Sequence, residues 1–83
     1  MTLGEVAYVT GTKIRDFKTI NGNFGSAFER LTIKDGPILV GTIGFGDSPE
    51  EARKALASKV SGQSVVRNAY GDRAEFEIPE ISV

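Results

Sequence analysis

The chain contains no cysteine, no histidine and no tryptophan. Without cysteine no disulfide can staple the fold, and the redox compartment leaves no mark. Without histidine the commonest general base and the commonest nitrogen ligand for transition metals are both missing. A zinc or haem site is therefore not expected, and no hydroxyl nucleophile has a histidine base. Long apolar runs are lacking too. No stretch approaches the length of a membrane span, and the opening MTLGEVAYVT has neither the basic nor the apolar region of a secretory signal. A phosphate-cradling glycine loop ending in Lys-Ser/Thr is also absent. These absences predict a cytoplasmic, non-enzymatic protein that needs no cofactor and no metal.

The 83 residues suffice for one domain spanning residues 1–83. A domain of this size is marginal alone, so self-association into a homodimer is expected. The hydrophobic share of 40% excludes disorder as the default. The net charge of −1 does not advertise a polyanionic partner, so any such partner has to be held by a local patch.

Residues 1–17 read as one long strand bent at Gly11, a position where glycine marks a bulge. Lys18–Ser26 reads as a projecting loop built on the Asn21-Gly22 turn dipeptide. Ala27–Ile33 is a second strand, with Leu31 and Ile33 toward the core and Glu29 awkwardly on the same side. Asp35-Gly36 turns the chain into a third strand, Ile38–Phe45, whose glycines allow strong curvature. Ser48, Pro49 and Glu51 form the start signal of a helix over 47–62, with Ala52, Ala55, Leu56 and Val60 on one face. Two short strands follow, around Val65-Val66 and over Arg73–Ile81, the latter alternating with Ala74, Phe76 and Ile78 inward.

The predicted class is mainly β with one helix, in the order strand, strand, strand, helix, strand, strand. That is the element order of the OB-fold, a five-stranded Greek-key barrel. The segment VTGTKIRDFKTINGNFGSAFERLTIKDG resembles the first half of OB domains in the group that includes the bacterial replicative DNA polymerase α subunit. Lys18, Thr19 and Gly22 stand at that family's "KT-x-x-G" loop, and Asp35-Gly36 at its acidic turn. VSGQSVVRNAYGDRAEFEIPEI is similar to its closing hairpin. The resemblance covers most of the chain through short motifs, and small phage single-stranded-DNA-binding proteins share the plan.

The resemblance implies a binding surface on the outer side of strands two and three, framed by two loops. It would carry Phe28, Arg30 and Thr32 on the platform, with Lys13 and Arg15 at its flank. Lys18, Asn21, Asn23 and Phe24 would sit in the first loop, and Arg67, Tyr70 and Arg73 around the second. Exposed rings stack on unpaired bases while cations follow the phosphates, so the implied partner is single-stranded DNA or RNA. Phe17 and Phe45 read as core rather than platform. Phe28 and Tyr8 stay open between the two, and alternating Lys13 and Arg15 also suit a merely solvated strand.

A protein-interaction module is the alternative: a phage structural component, an inhibitor of a host complex, or an antitoxin-like partner. Residues 27–62 are also similar to the hairpin–helix core of HicB-type antitoxins or double-stranded-RNA-binding domains. The latter want lysines where this chain has Pro49, Glu50 and Glu51.

Overall fold

A computed structural model describes residues 1–81. The chain opens with α1 (Leu3–Thr10), followed by β1 (Ile14–Lys18), β2 (Phe24–Asp35), β3 (Ile38–Gly46), α2 (Pro49–Val60), β4 (Ser64–Arg67) and β5 (Ala74–Glu77).

The helix α1 replaces the first half of the expected long strand. Thr2 caps it: its hydroxyl accepts from the Glu5 amide while the Glu5 carboxylate accepts from the Thr2 amide. Val6 and Thr10 are buried and Leu3 and Ala7 pack beside the core, which is the spacing of a helical face. Gly11 does interrupt the element, but as a left-handed helix cap at φ 68° rather than a bulge. Tyr8 and Val9 point to solvent, so Tyr8 is not part of the core.

The loss of that strand has a consequence for topology. Closing a barrel required residues 1–17 to serve two parts of the sheet, and only β1 remains to do so. Among the described residues the five strands therefore form an open antiparallel sheet, not a closed Greek-key barrel, and two helices accompany it instead of one. β2 is the central strand. Along one side it pairs with β3; along the other it pairs first with β1 and then with β4, which in turn pairs with β5.

The switch of partner coincides with a bulge. Register with β3 shifts between Ala27 and Thr32, and Arg30 adopts a positive φ of 59°. Before the shift Ser26 and Phe28 face the helices; after it Leu31 and Ile33 do. The extra residue leaves Glu29 exposed and removes the buried carboxylate that strict alternation implied.

Both helices lie on one face. Val6, Leu56, Ala57 and Val60 meet Phe28, Leu31, Ile33 and Val65 there. A Cβ on Gly44 or Gly46 would collide with the α2 backbone around Ala52 and Leu56, so bare glycine is what lets the helix settle directly on β3. The Ser48 hydroxyl accepts from the Glu51 amide at 3.2 Å, and Pro49 opens α2 as the sequence predicts. Arg53 on α2 pairs through two nitrogens with Asp16 on β1, and Asp16 also accepts from the buried Ser26 hydroxyl. These bonds hold the Asp16 carboxyl below its ordinary value of 3.8, the Arg53 hydrogen bond contributing most.

Candidate functional site

Among the described residues the opposite face of the sheet carries no helix. Its residues follow from the register: those beside Gly44 and Gly46 face the helices, so their neighbours face away. Two rows cross β1, β2 and β3 on this free face, Arg15–Ala27–Ile43 and Phe17–Gly25–Phe45. Small residues occupy the central strand in both rows, which leaves room for rings to lie flat. The Phe17 ring covers Gly25 so closely that a Cβ there would run into it. Phe45 meets Phe17 edge to face, with centroids 6.3 Å apart and planes at 88°. Phe45 is nonetheless 54% exposed. The Arg15 guanidinium lies 5.9 Å from the Phe17 centroid.

Both rings were expected in the core, and they are not. Alternation explains the outcome. In the run Gly44-Phe45-Gly46 the glycines accept α2, so the phenylalanine between them has to point the other way. That Gly-Phe-Gly pattern was the available signal.

Other expected site residues scatter. Phe28 is 5% exposed and belongs to the core. Phe24 starts β2 and is half-buried; by register it and Lys18 fall on the helix side, Lys18 at an exposed margin. Arg67 also faces the helices. Its Nη1 donates to the Thr10 carbonyl at 2.8 Å, and its guanidinium lies 5.7 Å from the Phe76 ring. A cation at the α1 C-terminus stabilises the helix, so Arg67 fastens α1 to the sheet rather than framing a ligand. Lys13, Asn21 and Asn23 are exposed in the connections around β1. Lys13, one residue before β1, accepts the Glu29 amide on its carbonyl at 2.9 Å.

A second group does come together. Arg30, Thr32 and Tyr70 line a shallow depression of ≈ 580 Å³ between the β2 bulge and the β4–β5 turn, with Asn68 and Asp72 beside them. Thr32 lies on the free face, and its hydroxyl donates to the Val66 carbonyl at 3.3 Å. Arg73 is exposed just past the turn. Toward β5 the free face turns acidic: Lys34 reaches Glu75 at 3.0 Å, and that pairing holds the Glu75 carboxyl low.

Among the described residues no cluster of acidic side chains could hold a metal ion, and no helix is long and apolar enough to cross a membrane. No protein-family model, curated protein or solved structure matches the chain.

Proposed function

We propose that the chain is a small, non-catalytic binding protein whose helix-free sheet face receives single-stranded nucleic acid. The observation that carries the reading is the Phe17–Phe45 pair, held over Gly25 on an open face with Arg15 against one ring. A ring kept 54% exposed near the end of β3 adds little to folding but offers a stacking surface. Arg15, with Lys13 just before β1, supplies charge for the phosphates. The acidic β5 end, with Glu75 and Glu77, limits the track to the β1–β3 half and the adjoining bulge. This site differs from the one the OB resemblance implied: it centres on β1 and β3 and loses Phe28, Phe24 and Arg67. Binding to duplex RNA through the start of α2 is disfavoured, because Glu50 and Glu51 stand in its first turn.

Anisotropy titration of labelled single-stranded and duplex oligonucleotides at two salt concentrations tests the reading. Salt-sensitive binding to the single strand, weakened by Phe45→Ala and by Arg15→Ala, is the expected result. Absence of binding at low salt overturns it.

The second reading, a protein-docking face, has its own support. Phe45 and half-buried Ile43 and Leu39 make an apolar stripe along β3, and the net charge is −1. A second copy of the chain is one candidate occupant. Sedimentation showing concentration-dependent dimers that Phe45→Ala dissolves, together with no oligonucleotide binding, selects this reading.

A further inference from the structure

Arg30 holds an unfavourable backbone geometry: the β2 bulge needs the positive φ, but not an arginine to adopt it. Its φ of 59° lies in the left-handed region, where a side chain with a Cβ is strained and glycine is not. Across from it Asn68 has φ 51° and donates its amide to the Arg30 carbonyl at 3.0 Å. Asparagine tolerates this region; arginine does so poorly. The Arg30 side chain is exposed and makes no hydrogen bond or ion pair among the described residues. Tyr70 is equally idle within the fold: it is 101% exposed at the tip of a turn, where a large ring contributes no packing. Both residues border the ≈ 580 Å³ depression, where Leu31 and Ala69 lie among Thr32, Asn68 and Asp72.

We propose that this depression takes one base of the strand bound on the free face. The proposal rests on the nucleic-acid reading and adds a second contact point to it. A volume of this size lies within the range of about 300–1,000 Å³ typical of small-ligand sites. Tyr70 supplies a π-face for stacking, the Asn68 side-chain carboxamide and the Asp72 carboxylate can hydrogen-bond a base edge, and Arg30 is the cation for the adjoining phosphate. Asp72 would repel a phosphate, which sets the orientation: base toward Asp72, phosphate toward Arg30. Thr32 connects the depression to the free face. From Gly25, under the Phe17 ring, to Thr32 the strand runs at most about 23 Å at ~3.3 Å per residue, less what the bulge takes up. One extended oligonucleotide can therefore touch both places.

The strained residue provides the test. Arg30→Gly relieves the backbone and removes the guanidinium, so it should raise the thermal midpoint by a few degrees while weakening single-strand affinity severalfold. Tyr70→Ala should leave the midpoint unchanged and weaken affinity about tenfold, the stacking of one base. In the wild-type chain, a nucleoside monophosphate should shift the amide resonances of residues 68–72. If the wild-type protein binds oligonucleotides and Phe45→Ala weakens them, yet Arg30→Gly and Tyr70→Ala do not, the depression is not a base site and only this proposal falls. If the wild-type protein binds no oligonucleotide at low salt, the broader reading falls with it.

Discussion

The two faces of the sheet are built from different materials. Toward the helices, Phe28, Leu31, Ile33 and Val65 present branched and aromatic bulk, and each is buried. On the other side the first part of β2 offers Gly25 and Ala27, with the rings beside it on β1 and β3. The first face fills space; the second leaves it. Bulk next to bulk excludes water and stabilises the fold, whereas rings set over small residues keep a surface that something else can cover. The contrast teaches that ring position, more than ring count, separates packing from binding in this chain.

The largest expected effect tests the packed face. Leu56 is fully buried under both sheet and helix, so Leu56→Ala should cost about 3 kcal/mol in urea unfolding. Gly44→Val should cost a comparable amount by a different route, because the side chain would displace α2 from β3. A small loss from either would mean that the helix-covered face is not where the stability resides.

Arg67→Ala comes next. It removes the bond to the Thr10 carbonyl and the cation at the end of α1, and a loss of about 2 kcal/mol is expected, with amide exchange increasing first in α1. Unchanged stability, with weakened oligonucleotide binding instead, would move Arg67 back to the ligand site from which the geometry removes it.

Asp16→Asn should cost about 1 kcal/mol, since the carboxylate is partly exposed and its pairing with Arg53 is screened by solvent. The folded carboxyl titrates below its ordinary value of 3.8, so the pair's contribution is complete above that pH. It fades as pH falls through and below it, toward the folded value. Urea midpoints of the wild-type and Asp16→Asn chains should therefore differ near neutrality and converge in acid. A constant difference across the range would show that charge is not what Asp16 supplies.

The smallest stability effect is expected on the open face. Phe45→Ala should change unfolding by less than about 1 kcal/mol, because more than half of the side chain is already in water. Its consequence should be seen in binding. A cost of several kcal/mol would make the free face a second core and erase the contrast between the two sides.

Much of the layout was legible in the chain. Ser48-Pro49 with Glu51 announced α2, Asp35-Gly36 announced the turn after β2, and alternation placed Phe76 and Ile78 toward the core. The misreadings had local causes. Val6, Ala7, Tyr8 and Val9 form an apolar and aromatic run that reads as strand, whereas the Thr2–Glu5 capping box starts a helix there. The positive φ at Arg30 was invisible because arginine does not announce it, so the facing of Glu29 came out wrong. The site suffered most. Stacking over Gly25 depends on which strands are neighbours, and the Arg30–Tyr70 depression joins residues forty positions apart.

Local chemistry alone decided the turn at Asp35-Gly36, where α2 begins and the alternation along β3 and β5, because capping, φ preference and two-residue alternation act over a few residues. Tertiary structure decided that the sheet stays open, that Phe28 is covered while Phe45 is not, and that Arg67 serves α1. Those outcomes depend on which surface a helix settles against, and that choice is made by bare glycines on β3 and a bulge on β2 acting together across the sheet.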